Sequence, residues 1–545
     1  MKEFKPMLFS NMKEYNLSQF TKDVISGIIV AIIALPLSIA LALASGVGPE
    51  EGLYTAIIAG FLIAFFGGSR VQIAGPTAAF ATIVAGVVAK NGMQGLATAT
   101  ILAGVLLIIM GIFKFGKLRK YIPYTITTGF TAGIAVTIAI GQLKDFFDVT
   151  YSHAPIETIE KLILFLQNIN TVNFGAVIVG VVCLAVMFLF PKISKKIPAS
   201  LIAVVIGVVM VKILPFEVKT IGDLYPDISN KLPSLQIPDF SIGTVRTLLP
   251  DAFTIAVLAG IESLLSCVVS DGMINSRHRS NMELIAQGVG NIGSGFFGGI
   301  PATGAIARTA ANIDNGGRTP IAGMVHSVVL LIILVIVMPY AKLIPMPTIA
   351  AILINVAYNM CQWKPFTKII KKAPKSDIAV LVTTFLLTVI FDIVVAIEFG
   401  MILTMALFVK RMTDETEIRL WRDYDENDDK DSINLKKVPE GVNVYELNGP
   451  LFFSVINNLS KILPKKNTKC IILRMRSVTA IDITAIKSLD EIIKTCHKKG
   501  INVLLSHVNP QPMQSIMKSG LYDVVGEENF CDNIDHALKR AEELI

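Results

Sequence analysis

Two stretches of the 545-residue chain combine residue types that can bind a small ion inside an apolar setting. Phe65-Phe66-Gly67-Gly68 precedes Ala74-Gly75-Pro76-Thr77-Ala78, and Phe296-Phe297-Gly298-Gly299 precedes Pro301-Ala302-Thr303-Gly304-Ala305. In each, a glycine pair leads into a short extended stretch and then a helix start built of small residues. A helix that begins inside a bilayer leaves its first N–H groups without intrahelical partners. Those donors are costly in lipid unless protein, water or ligand satisfies them. Two such starts facing one another make a donor-rich site carrying roughly half a positive charge from each. An anion fits there, and Gly75, Ala78, Ala302, Gly304 and Ala305 would let it approach the backbone. The competing reading is that the glycines serve only close helix packing.

A carboxylate accompanies the pair. Glu262 lies mid-segment in Ala259-Gly260-Ile261-Glu262-Ser263-Leu264-Leu265-Ser266. An ionised carboxylate there costs about 3 kcal/mol on insertion scales. A proton or a bound cation would relieve that cost, so Glu262 is a candidate coupling residue, with Ser266 one turn later on the same face. The competing role is a structural carboxylate that accepts nearby N–H groups. Arg308 has two readings, as positive potential beside the site or as an anchor paired to Glu398 or Asp392. His326 reads as a hydrogen-bonded packing residue.

These residues need a membrane scaffold, and the composition supplies one. The chain is 53% hydrophobic and 17% charged, with mean hydropathy +0.62 and net charge +7. Soluble domains carry about 25% charged residues. Fourteen apolar segments stand out: 24–45, 53–67, 75–89, 96–113, 122–143, 174–190, 199–214, 250–271, 283–297, 302–312, 319–338, 347–361, 376–391 and 393–409. The two ion-binding stretches open the third and tenth of these. Seven segments apart is an odd number, so the second copy is inverted in the membrane, a common transporter plan.

Basic residues set the orientation. Lys114, Lys117, Arg119 and Lys120, then Lys192, Lys195 and Lys196, then Arg277 and Arg279, then Lys364, Lys368, Lys371, Lys372 and Lys375 fall in alternate loops. The first intervening loop holds Glu50 and Glu51. Both termini are therefore expected in the cytosol, in a multi-pass protein of the inner (plasma) membrane. Residues 1–23 read as a cytosolic N-terminal segment, 24–412 as the transport domain and 413–434 as a linker. The linker holds six acids between Asp423 and Asp431. Residues 435–545 read as a small α/β domain. Its strands are expected at Val442–Leu447, Cys470–Met475 and Ile501–Ser506, and its helices at Ser454–Leu463, Thr484–Lys494, Gln511–Lys518 and Asn533–Glu543.

Several chemistries lack support. The six cysteines form neither a CxxC pair nor a metal spacing and read as thiols. Gly288, Gly290 and Gly293 match G-x-G-x-x-G, but no strand precedes them. No Walker lysine motif and no hydrolase motif occurs in a credible setting, so neither an ATP-driven pump nor an enzyme is expected. No cofactor, nucleic acid or resident metal is implied.

Over nearly its whole length the chain resembles the SulP family of anion transporters. The resemblance rests on ALPLSIALALASGVGPEEGLYTAIIAG (34–60), FFGGSRVQIAGPTAAF (65–80), GFTAGIAV (129–136), ESLLSCVVSDGMINSRHRSNMELIAQG (262–288) and FFGGIPATGAIARTAANI (296–313). The tail resembles a STAS domain, shared with anti-sigma-factor antagonists. The resemblance implies fourteen segments in two inverted repeats of seven, core and gate domains and a homodimer. It implies a substrate such as sulfate, bicarbonate, chloride or a dicarboxylate, bound between the third and tenth helix starts. Carried over, that site is Thr77, Ala78, Thr303, Gly304 and Ala305, with Glu262 opposite. Sodium-coupled bicarbonate members tend to carry hydroxyls around the cation. Here Ser266 matches and Ala305-Ile306 does not, so proton and sodium both stand as coupling ions near Glu262 and Ser266. In the tail, Ile481-Asp482-Ile483-Thr484-Ala485 is similar to the loop phosphorylated in the antagonists. That makes Thr484 the acceptor, against a reading of Asp482 as a plain helix cap.

The function expected is secondary active transport of a small inorganic or carboxylate anion by proton or sodium symport. An exchanger or channel-like uniporter on the same fold is one alternative. A membrane-anchored signalling protein, whose tail binds a cytosolic partner, is another.

Overall fold

The computed structural model describes residues 4–12, 15–117, 123–153, 155, 157–193, 197–214, 217–391, 393–420, 438–453, 462 and 467–545. Arg119, Lys120, Lys195, Lys196, Asp392, the acidic run 423–431 and most of the helix expected at Ser454–Leu463 lie outside these residues. The chain divides into two compact units, Met1–Met401 and Ile402–Ile545.

All fourteen apolar stretches fall on helices. In the first unit these are α1 (Leu17–Ala44), α2 (Pro49–Phe66), α3 (Ala81–Ile112), α4 (Tyr124–Gly141), α5 (Phe174–Ile193), α6 (Ala199–Ile213) and α7 (Ile242–Ile274). They continue as α8 (Ser280–Phe296), α9 (Ile306–Asp314), α10 (Ile321–Ala341), α11 (Met346–Met360) and α12 (Lys375–Ile390). The last, α13 (Ile393–Asp414), leads from the first unit into the second. Seven of the described helices are long and apolar enough to cross a membrane. The third and fourth sequence segments run together as α3, preceded by a 3-10 turn at Ala78–Phe80 and broken at Gly92. Gly92 has φ 65° and ψ −174°, a conformation open to glycine and costly for other residues.

Small residues let the helices close on one another. A Cβ on Gly104 of α3 would meet the Gly288 carbonyl of α8 at 2.6 Å. A Cβ on Gly288 would meet the Gly104 carbonyl in return. Gly290 and Gly293, the rest of the G-x-G-x-x-G match, face Ile63, Leu62 and Ile58 of α2. That motif is a packing seam through which α8 lies against α3 and α2.

The two non-helical stretches meet at the centre of this unit. β1 (Ala74–Gly75) and β2 (Thr303–Gly304) pair antiparallel, Ala74 opposite Gly304 and Gly75 opposite Thr303. The antiparallel crossing is what two inverted copies produce when their extended stretches meet. The third helix starts at Ala78 and the tenth at Ile306, a few residues later than the apolar segments begin.

The second unit has a five-stranded sheet in the order β3-β4-β5-β6-β7. β3 is Glu417–Leu420, β4 Val442–Asn448, β5 Cys470–Ser477, β6 Asn502–Ser506 and β7 Phe530–Cys531. β4 to β7 are parallel and β3 adds antiparallel to β4. α14 (Ile483–Lys498) and α15 (Pro510–Lys518) cover one sheet face through Ile486, Leu489, Ile493 and Ile516. α16 (Ile534–Leu544) covers the other through Ala537, Leu538 and Ala541. Asp482 is the N-cap of α14, accepting from the Ala485 N–H at 2.8 Å.

β3 lies in the stretch that the sequence reads as linker. Its Ile418 and Leu420 pack on the core beneath α14. We therefore expect two soluble fragments, 414–545 and 438–545, to differ. The shorter one loses two half-buried apolar side chains and an edge strand, about 2 kcal/mol. Its thermal midpoint should fall by several degrees. Equal midpoints by circular dichroism would mean that β3 adds nothing to the domain.

Candidate functional site

Extended backbone at membrane depth needs internal hydrogen-bond partners, and the surrounding helices of both repeats supply them. The buried face of α9 serves the stretch leading to α3. The Arg308 Nη2 donates to the Pro76 carbonyl at 3.2 Å, the Ile73 N–H to Thr309 Oγ1 at 3.0 Å, and Asn312 Nδ2 to the Val71 carbonyl at 2.8 Å. The stretch leading to α9 is served by three helices. Thr55 of α2 accepts the Ile300 N–H at 2.7 Å, Asn291 of α8 bonds both backbone groups of Ala302 at 2.9 Å, and Ser263 of α7 accepts the Gly304 N–H at 3.1 Å. The Ala305 N–H crosses to the Ile73 carbonyl at 2.9 Å.

Past these crossings the two helices begin without caps. Thr77 stands at the N-cap position before Ala78, yet its hydroxyl donates to Glu262 Oε2 at 3.0 Å and caps nothing. Ala305, the N-cap of α9, has no side-chain acceptor to offer. The N–H groups of Ala78 and Ala79, and of Ile306 and Ala307, have no acceptor among the described residues. Ala305 and Thr77 are half-buried, and Ile306 and Ala307 are exposed. Each start is thus a set of unused donors with the positive end of a helix behind it.

Glu262 is half-buried, and among the described residues Thr77 is its one hydrogen-bond partner, with no backbone N–H donating to it. This is not the geometry of a carboxylate that caps a helix. Ser266 is buried one turn on, and its hydroxyl has no hydrogen-bond partner among the described residues. Thr303 is fully buried, bonded to Ser263 Oγ at 2.6 Å and to the Ala259 carbonyl at 3.1 Å. The N–H groups of Gly304 and Ala305 already have protein acceptors, so the unused donors of the second start lie one to three residues later. Gly75 and Gly304 make room for side chains. A Cβ on Gly75 would meet Arg308 Nη1 at 2.6 Å, and one on Gly304 would run into the Gln72 amide.

Arg308 is 3% exposed while Glu398 is exposed, so the two do not form the anchor pair considered from sequence. His326 is fully buried in α10, and neither ring nitrogen has a hydrogen-bond partner among the described residues, so the bonded packing role expected of it is not what those surroundings offer. In the second unit Thr484 is half-buried in the first turn of α14, and Asp482 performs the capping.

Sequence reasoning missed Ser263, Thr309, Asn312, Asn291, Gln72 and Glu283. Glu283 is fully buried and accepts four bonds. The Gly68 and Ser69 N–H groups reach one oxygen at 2.8 and 3.0 Å, and the Gln72 and Gln287 amides reach the other at 2.7 and 3.0 Å. A signal was present: amides and carboxylates inside apolar segments are expensive unless paired.

The description of the sulfate permease family matches residues 20–384, and that of the STAS domain matches residues 435–537. The chain belongs to the sulfate permease family. Its helical membrane unit and α/β tail are the transmembrane and STAS parts of that family of transporters. The putative sulfate transporter YvdB of Bacillus subtilis is 38% identical over 534 residues, 97% of this chain and 99% of that one. The bicarbonate transporter BicA of Picosynechococcus is 30% identical over 536 residues, 95% of this chain and 94% of that one. The inward-facing structure of murine Slc26a9, an anion transporter, superposes with TM-score 0.87 at 18% identity, covering 98% of this permease and 94% of that chain. That likeness is one of fold.

Proposed function

We propose that this permease carries out secondary active transport of a small inorganic or carboxylate anion, sulfate, bicarbonate or a dicarboxylate, by symport with a proton or sodium through Glu262. The observation that carries the reading is the pair of uncapped helix starts beside a carboxylate. The anion binds the unused N–H groups of Ala78–Ala79 and Ile306–Ala307. The relatives named for sulfate and bicarbonate transport support the substrate class.

Charge gives the coupling a physical basis. Each helix start contributes roughly +0.5 and Arg308 contributes +1. An ionised Glu262 offsets half of that sum of about +2. A proton on Glu262, or a cation between Glu262 and the free Ser266 hydroxyl, restores it. At an effective dielectric of about 20 and a separation of roughly 7 Å, the difference is about 2 kcal/mol. That is roughly a thirtyfold gain in anion affinity, and the anion strengthens coupling-ion binding equally. Binding one ion thus recruits the other, as a symporter needs.

Uptake of labelled sulfate, bicarbonate or fumarate by proteoliposomes, with and without imposed proton and sodium gradients, tests this reading. Accumulation driven by one gradient supports it. Uptake that only exchanges or only equilibrates points to an exchanger or uniporter. No uptake together with no anion binding leaves the signalling role of the tail.

The loop charges support a permease of the plasma membrane with both termini in the cytosol. A cysteine introduced between residues 423 and 431 should resist an impermeant thiol reagent in intact cells and react after permeabilisation. Labelling of intact cells would reverse the orientation.

A further inference from the structure

Glu283 lies apart from the proposed ion site, in the first turn of α8, yet it is a fully buried carboxylate that accepts from four donors. We propose that Glu283 is a positioning residue for transport: through Gln72 and the Gly68–Ser69 turn it fixes the extended stretch that sets where the first half-helix begins. This rests on the reading that the anion binds between the two helix starts.

The chain of contacts is short. One Glu283 oxygen holds the N–H groups of Gly68 and Ser69, where the chain leaves α2. The other holds the Gln72 amide at 2.7 Å and is braced by Gln287, one turn along α8. Gln72 Oε1 in turn accepts the Cys267 thiol of α7, one residue past Ser266, at 2.9 Å. The Gln72 amide also occupies the space beside Gly304, so it touches β2 while β1 follows two residues later. Gln72 therefore meets α7, α8 and β2, the elements that carry Glu262, Asn291 and the approach to the second start. From Gln72 the chain has five residues to reach Thr77.

The chemistry requires an acceptor on both oxygens. In Glu283→Gln one oxygen becomes an NH2 group and must face either the two backbone donors or the two amide donors. One side of the clamp is lost whichever way the amide turns. Gln72→Met keeps the length and volume beside Gly304 and removes both hydrogen bonds.

The test uses the full chain in detergent, with sodium sulfate and sodium bicarbonate as the probes. Anion affinity is read from ligand-dependent thermal stabilisation, and local order from hydrogen exchange of residues 68–75. We expect Glu283→Gln and Gln72→Met each to weaken the affinity at least tenfold and to speed exchange of 68–75. The double variant should be no worse than the weaker single one, because both act through one contact. Wild-type affinity in Glu283→Gln, or additive losses in the double variant, would overturn the proposal. Should Glu283→Gln fail to fold, Gln72→Met alone decides: a tenfold loss sustains the clamp and unchanged affinity refutes it. Ala78→Pro separates the two readings. If it weakens binding while Glu283→Gln does not, only the positioning role fails; if it has no effect, the anion site itself is misplaced.

Discussion

Glu262→Gln is expected to bind the anion and to lose gradient-driven accumulation. The substitution keeps the side-chain length, and its carbonyl oxygen can still accept the Thr77 hydroxyl that Glu262 accepts at 3.0 Å. The helix starts and Arg308 are untouched, so the donors that hold the anion remain. What disappears is the one group at the site whose charge can change. A neutral glutamine also fixes the net charge at the value the coupling ion would produce. The variant should bind sulfate or bicarbonate without a coupling ion as tightly as the wild type does with one. That is roughly thirtyfold tighter than the uncoupled wild type. Its affinity should not respond to proton or sodium concentration. Equilibrium binding with and without each ion, together with uptake in proteoliposomes, measures both halves. Uphill accumulation by Glu262→Gln, with the wild-type ion dependence, would make Glu262 structural and sink the mechanism.

The second large effect is expected from removing single backbone donors. Proline lacks an N–H, suits the first helical position and prefers an extended residue before it. Both starts meet those conditions. Thr77 precedes Ala78 with φ −129° and ψ 157°, and Ala305 precedes Ile306 with φ −94° and ψ 108°. Ala78→Pro and Ile306→Pro should therefore preserve the helices while deleting one donor each. A hydrogen bond to a charged partner is worth about 1.5–3 kcal/mol. Each variant should weaken the anion by roughly tenfold to a hundredfold, with little change in thermal stability. Loss in Ala78→Pro and none in Ile306→Pro would confine the site to the first half-helix. Unchanged affinity in both would mean that the helix ends do not hold the anion.

Much of this was legible in the chain. The apolar segments are dictated by the bilayer, which needs about 20 apolar residues per span, and so their positions survive in any fold. The matched Phe-Phe-Gly-Gly stretches mark the two interruptions, and their spacing by an odd number of segments gives the inversion that β1 and β2 realise. Glu262 stands out because a carboxylate in an apolar segment is costly without a purpose. In the tail, short apolar strands alternating with helices identify the α/β domain. β3 escaped notice because four residues of mixed polarity become a strand only when β4 offers them an edge.

What only the tertiary structure decided is which donors and acceptors are already used. Sequence gives Thr303, Gly304 and Ala305 as small residues at a helix start. Folding assigns the Gly304 N–H to Ser263 and the Ala305 N–H to Ile73, and so moves the unused donors on to Ile306 and Ala307. Gly75 and Gly304 look like room for a ligand along the chain, and in space they are room for Arg308 and Gln72. Glu283 looks like an ordinary flank of α8 until Gly68, Ser69 and Gln72 converge on it from more than 200 positions away. The reason is physical. Hydrophobicity and helix interruption are properties of a local stretch read against a solvent, so the sequence carries them. Hydrogen-bond partnership in a dry interior is a property of pairs, and the pairs exist only once the two repeats have crossed.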